Sequence, residues 1–126
     1  MTEILEHKHL IIRVEVTNPP HDPEWTKQWL REIVDKIGMK VCAGPISEHV
    51  DTIGNKGVTA VVIIETSHIA IHVWSEPDPA LIQMDVYSCS SFNPQDIFDE
   101  LKQFDPVKME YKFLDREFGL VEIPLD

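Results

Sequence analysis

Three strand-like segments follow one another with almost nothing between them. Val58–Ile64 is the apolar run VTAVVII, the next ten residues read ETSHIAIHVW, and Leu81–Cys89 reads LIQMDVYSC. Glu76-Pro-Asp-Pro79 forms the turn between the last two. Segments joined this tightly have no room for a crossover, so they must pair antiparallel. This constrains the chain more than any other feature. The run at 58–64 is so apolar that it predicts a strand covered on both faces.

The flanking sequence supplies the rest of the sheet and its cover. In HLIIRVEV, Leu10, Ile12, Val14 and Val16 alternate with Arg13 and Glu15, the pattern of a half-buried strand. Asp22-Pro23 reads as an N-cap with proline in the first turn. Trp25, Trp29, Leu30, Ile33, Val34 and Ile37 then recur at helical spacing, and Gly38 stands where a helix ends. The two Trp are expected to pack in the core. Met39–Cys42 reads as a short strand ended by Ala43-Gly-Pro45, and DTIGNKG at 51–57 as a loop. Asn93-Pro94 opens a second helix with Ile97, Phe98, Leu101 and Phe104 on its buried side. In VKMEYKF, Val107, Met109, Tyr111 and Phe113 are expected to face inward. The tail reads as an edge segment or arm. The fold class is α+β, an antiparallel sheet with two helices on one face, in a single domain spanning 1–126.

Charge narrows the partners. The formal net charge is −11 with neutral histidines. Phosphate binding needs clustered Lys and Arg, so nucleic acid and anionic membrane surfaces are poor partners. A cationic or amine-bearing small molecule is electrostatically welcome. The N-terminus, MTEILEHKHL, lacks the apolar core of a signal peptide, and no apolar run reaches transmembrane length. Cys42 and Cys89 have no CxxC partner, which predicts a reducing cytoplasm without a disulfide framework.

The chemistry concentrates in ETSHIAIHVW. Along a strand, Ile69, Ile71 and Val73 point one way, and His68, Ala70, His72 and Trp74 the other. Asp85, Tyr87 and Cys89 share a parity on the next strand, where a hairpin would let some of these groups converge. Three readings stand side by side. His68 and His72 are satisfied histidines in the fold, with Cys89 a small buried residue. A metal is held by His7 and His9, whose i, i+2 spacing puts both rings on one face, with His72 joining them. His68 and His72 themselves lie roughly 13 Å apart along a strand, too far to share one ion. The third is an activated hydroxyl, Ser67 beside a histidine with a cysteine on the neighbouring strand.

GVTAVVIIETSHIAIHVWSE followed by ALIQMDVYSC resembles the prokaryotic S-adenosylmethionine decarboxylase proenzymes. Those carry Gly-Val-Ser-Gly-Val-Val, then Glu-Ser-His, a second His five residues after the Ser, Thr-Trp-Pro-Glu, and Asp-Val-Phe-Thr-Cys. The resemblance is close over residues 57–90 and extends loosely to the strand that opens at His9-Leu10-Ile11. It implies that Ser67 attacks the carbonyl of Thr66 and that the chain splits between 66 and 67, leaving a pyruvoyl group at 67. It implies that His72 assists this processing, with Thr59 in the place of the family's processing serine. It implies that the pyruvoyl carbonyl takes the substrate amine as a Schiff base, that Cys89 returns a proton, and that Glu76 binds the ribose hydroxyls. A homodimer or higher homo-oligomer, S-adenosylmethionine as substrate and a place in spermidine synthesis are part of the same implication. Apart from it, no metal is expected, because His-x-His spacing is a weak signal. Thr66 stands where the family has Glu, Ser75 where it has Pro, and Ile53 in the loop where it places an adenine-stacking ring. Two alternatives remain beside this reading: the same chemistry on ornithine or arginine, and a non-processed, silent homologue that binds a ligand or a partner subunit.

Overall fold

The computed structural model describes residues 6–65 and 67–125. Strand β1 (Lys8–Val16) lies near the middle of a seven-stranded sheet. Helix α1 (Pro23–Lys36) carries the chain across to the far edge, where β2 (Val41–Val50) begins a meander back through β3 (Gly57–Ile64), β4 (Ser67–Trp74) and β5 (Ala80–Ser88). β5 pairs with β1. Helix α2 (Pro94–Leu101) and a 3-10 turn at Lys102–Phe104 then lead to β6 (Pro106–Asp115) on the other side of β1, and β7 (Val121–Glu122) ends the sheet. The strand order is β2-β3-β4-β5-β1-β6-β7, and every neighbouring pair is antiparallel.

Alternation decides which face meets the helices. Leu10, Ile12, Val14, Val62, Ile64, Ile69, Ile71, Ile82 and Val86 are buried in one cluster with Leu30, Ile33, Ile97 and Leu101 from the helices. Each large aliphatic side chain so enclosed stabilises the fold by about 1.5–3 kcal/mol relative to exposure. The caps read from sequence are present. Asp22 Oδ1 accepts a hydrogen bond from Glu24 N, and Asn93 Oδ1 one from Gln95 N. Each such cap is worth about 1 kcal/mol. Gly38 follows α1 at φ 75°, a conformation that glycine adopts without penalty. Among the described residues no helix is long and apolar enough to cross a membrane.

Four expectations are corrected. β3 is covered on one face only: Val58, Ala60, Val62 and Ile64 are buried, but Val61 and Ile63 look outward, Ile63 at 50% exposure. Its apolar run therefore does not mark a doubly covered strand within one chain. Ala43-Gly44-Pro45 does not end β2. This edge strand absorbs the proline through register shifts between Val41 and Ala43 and between Ala43 and Ile46, where no ladder hydrogen bond is required of it. Val107 and Met109 share the parity of Phe113, yet Val107 is 60% exposed: the β1–β6 register shifts between Glu15 and Val16, which pair with Lys108 and Pro106, and leaves Val107 without a cross-strand partner. Trp29 is buried as expected, whereas Trp25 stacks on it from the surface with ring centroids 6.1 Å apart. The tail supplies the short edge strand β7, as the sequence predicts.

Candidate active site

Ser67 opens β4 and shares the inward parity of Ile69 and Ile71, at 7% exposure. Its hydroxyl is fixed from two sides. Oγ donates to the carbonyl of Glu65 at 3.3 Å and accepts from the backbone N–H of Cys89 at 3.1 Å. The β4–β5 register explains the second bond. His68 pairs with Tyr87, which carries the chain just past β5 alongside the start of β4. The predicted neighbours Ser67 and Cys89 thus meet, and the half-buried Cys89 takes part in no disulfide. Thr66 lies outside the described residues.

The other predicted pair sits elsewhere. His72 is cross-strand from Thr59, and its Nδ1 lies 3.4 Å from Thr59 Oγ1. Both are on the open face of the sheet, away from the helices. Five residues of strand separate Ser67 from His72, a distance of roughly 16 Å, and the odd spacing turns them to opposite faces. One chain therefore holds two half-sites, Ser67–Cys89 at one end of β4 and Thr59–His72 toward the other.

Glu76 lies just beyond β4 and is bound into the fold. Its Oε1 accepts from Gly54 N at 2.8 Å and from Lys56 N at 3.3 Å, pinning the loop before β3. Ile53 in that loop is 85% exposed. Trp74, placed by its parity on the face of His72 but given no role in the sequence, donates its indole N–H to Asn55 Oδ1 at 3.2 Å on the same loop. Its ring centroid lies 6.2 Å from that of His72.

The histidines read as a metal pair separate. His7 Nδ1 is 3.0 Å from the Tyr87 hydroxyl, while His9 Nε2 is 2.9 Å from Asp85 Oδ2. His72 joins neither. His68 also reaches Asp85, so the predicted convergence of β4 and β5 on the open face does occur.

Comparison with known proteins agrees with this architecture. A family model described as S-adenosylmethionine decarboxylase matches residues 8–117. The S-adenosylmethionine decarboxylase proenzyme of Methanococcus vannielii is 37% identical over 70 residues, 54% of this chain and 54% of that one. The chain thus spans about half the length of the Methanococcus relatives that it matches. The proenzyme of the same name from Archaeoglobus fulgidus is 27% identical over 69% of this chain and 78% of its own. The crystal structure of the adenosylmethionine decarboxylase from Aquifex aeolicus shares the fold, with a TM-score of 0.68 at 21% identity over 98% of this chain and 99% of that one. The family match over residues 8–117, most of the chain, establishes that this protein, with its α+β sheet, belongs to the S-adenosylmethionine decarboxylase family.

Proposed function

We propose that the chain is a self-cleaving proenzyme of a pyruvoyl-dependent decarboxylase that acts on S-adenosylmethionine and supplies polyamine synthesis, spermidine in particular. The observation that carries this reading is the Ser67 hydroxyl, nearly buried, held between the Glu65 carbonyl and the Cys89 amide. In the proposed processing, Ser67 Oγ bonds to the carbonyl carbon of Thr66 as the Thr66–Ser67 C–N bond breaks, and the proton passes from oxygen to nitrogen. Elimination then frees the Thr66 carboxylate, and hydrolysis releases ammonia and leaves the pyruvoyl group at position 67. That group supplies an electron sink for the loss of carbon dioxide from an amine-bearing substrate. The residues fit it: Ser67 is present at the start of β4, and the Cys89 amide bonds its hydroxyl, which keeps the Cys89 thiol within the same stretch of chain as the proposed source of the proton returned to the substrate carbon. The acidic surface suits a cationic substrate, and Trp74, beside the loop pinned by Glu76, offers a ring for the adenine. A cytoplasmic setting fits the two cysteines, neither of which is in a disulfide.

The split between Ser67–Cys89 and Thr59–His72 supports a homodimer or larger assembly. A second copy covering the open face meets His72 directly but not Ser67, which faces the helices, so the partner's Thr59–His72 pair would have to reach Ser67 around the end of β4. Exposed Ile11, Ile46, Val61 and Ile63 on that face suit such a cover. A second substrate reading, ornithine or arginine, is favoured by one observation: Ile53 presents no ring where adenine stacking would be expected.

Intact mass tests the reading. The 14.5 kDa chain is expected to yield an N-terminal piece ending at Thr66 and a C-terminal piece blocked at 67. Ser67→Ala should remain one polypeptide. A chain that stays whole on long incubation, or a Ser67→Ala variant that still splits, overturns the assignment. Release of carbon dioxide from S-adenosylmethionine, ornithine and arginine then identifies the substrate.

A further inference from the structure

Apart from the two half-sites, the central strands gather a second set of side chains on the open face. His9 on β1, Asp85 on β5 and His68 on β4 offer one ligand atom each, all within 4.8 Å of one another. His9 Nε2 and His68 Nε2 both lie 2.9 Å from the same atom, Asp85 Oδ2. The register fixes this. His9 and His68 flank Tyr87 from either side, and Asp85 is the next residue on that face of β5. Three adjacent strands therefore hold the donors, with no flexible loop among them. The three side chains are 17%, 30% and 41% exposed for His9, Asp85 and His68, so solvent reaches them.

We propose that His9, His68 and Asp85 form a binding site for a divalent transition-metal cation, Zn²⁺ or a close relative. Two imidazoles and one carboxylate on one side of an ion, with remaining positions open to water, suit a first-row metal better than Mg²⁺ or Ca²⁺, which prefer all-oxygen ligands. Metal ligands stand about 2.0–2.2 Å from such an ion, so the present 2.9 Å separations need to open only slightly. A carboxylate only accepts hydrogen bonds, so each Nε2 now carries its hydrogen toward Asp85. Metal binding moves that hydrogen to Nδ1 on each ring.

Arg116 makes this exchange readable. Its guanidinium lies over the Tyr87 ring at 4.6 Å, and NH1 is 3.2 Å from His9 Nδ1. Arginine only donates, so this contact holds His9 in the tautomer opposed to metal binding. Arg116 is thus a restraint on the site. Arg116→Gln, which can accept from Nδ1–H and removes a nearby positive charge, should bind metal more tightly. His9 and Asp85 also line a shallow cavity of about 230 Å³ that reaches His72, so an ion here sits beside the Thr59–His72 pair.

The test is equilibrium binding of Zn²⁺ to the full chain against a chromophoric chelator, with Co²⁺ absorption as a report of ligand geometry. One ion per chain is expected. His68→Ala and Asp85→Asn should each weaken it by at least about tenfold, in the range that altered metal shells produce. Arg116→Gln should tighten it severalfold, and His21→Ala should change nothing. Because the wild-type Co²⁺ spectrum needs no variant, a misfolded substitution does not leave the proposal open. Octahedral Co²⁺ indistinguishable from the aqueous ion, or stoichiometric Zn²⁺ binding that survives both ligand substitutions, overturns it.

Discussion

Gly57→Ala should be among the most damaging single-methyl additions in this chain. Gly57 opens β3 at φ 149°, and a Cβ there would lie 1.9 Å from the carbonyl oxygen of Val73 and 2.7 Å from its carbon. Real Cβ contacts essentially never fall below 3.0 Å, so the Val73 peptide must move. That peptide cannot move alone, because Ser75 N and Ser75 Oγ both bond to the carbonyl of Lys56, at 2.9 and 3.1 Å. Backbone strain of about 1–3 kcal/mol, a lost hydrogen bond of about 1 kcal/mol and local overpacking of similar size combine to roughly 4 kcal/mol. Gly38→Ala is the control. Gly38 also has positive φ, 75°, but nothing stands within 4 Å of its added methyl, so about 1 kcal/mol is expected. Urea unfolding followed by tryptophan fluorescence compares the two, with the midpoint read at constant slope. Failure of Gly57→Ala to fold at all agrees with the argument. A stability within about 0.5 kcal/mol of Gly38→Ala refutes it, since that leaves no room for the close approach of β4 to Gly57.

Mixed assemblies test the shared site. Neither Ser67→Ala nor His72→Ala should process alone, but co-refolding them should restore cleavage of the His72→Ala chain, visible by mass; no cleavage in the mixture refutes the two-chain arrangement. Cys89→Ala should still split between 66 and 67 while its turnover falls by at least about a hundredfold, the usual scale of a lost general acid. Unchanged release of carbon dioxide removes Cys89 from the chemistry. Ser47 Oγ is buried with no hydrogen-bond partner among the described residues, so Ser47→Ala should raise stability by about 1 kcal/mol in the same urea assay. A loss of stability would mean that the hydroxyl is satisfied after all.

Local signals were read correctly wherever a short-range rule decided the outcome. Asp22-Pro23 and Asn93-Pro94 cap their helices because each side chain answers an amide two residues on. The parity of β4 follows from its pleat, so the opposition of Ile69, Ile71 and Val73 to His68 and His72 was legible. What escaped the sequence depends on elements remote in the chain. Whether Val61 and Ile63 are covered is set by what lies beyond the open face, and apolarity alone does not report it. Gly44-Pro45 reads locally as a terminator, because nothing nearby in the chain says that β2 is an edge strand with slack in its ladder. The Ser67–Cys89 contact was accessible through spacing and family resemblance, while His9–Asp85 was not. That pair forms because β1 inserts between β5 and β6, which brings together groups 76 residues apart. Arg116 reaches His9 across 107 residues for the same reason, with no motif to announce it.

The position of β1 has a consequence for any chain cut at the 66–67 bond. The two products would be interlaced rather than laid side by side. The first contributes β1, β2 and β3, the second β4 through β7, and β1 of the first is wedged between β5 and β6 of the second. Together with the β3–β4 seam, three of the six strand pairings would then join separate polypeptides. Pulling the pieces apart means dismantling the middle of the sheet, so they should copurify under native conditions as one cooperative unit. Once denatured, however, the same unit has lost the tether that makes its assembly intramolecular. Its refolding becomes bimolecular and depends on concentration, whereas the uncut chain refolds at a rate indifferent to dilution. Such a scission would convert a foldable precursor into a product held together chiefly by the slowness of its own unfolding.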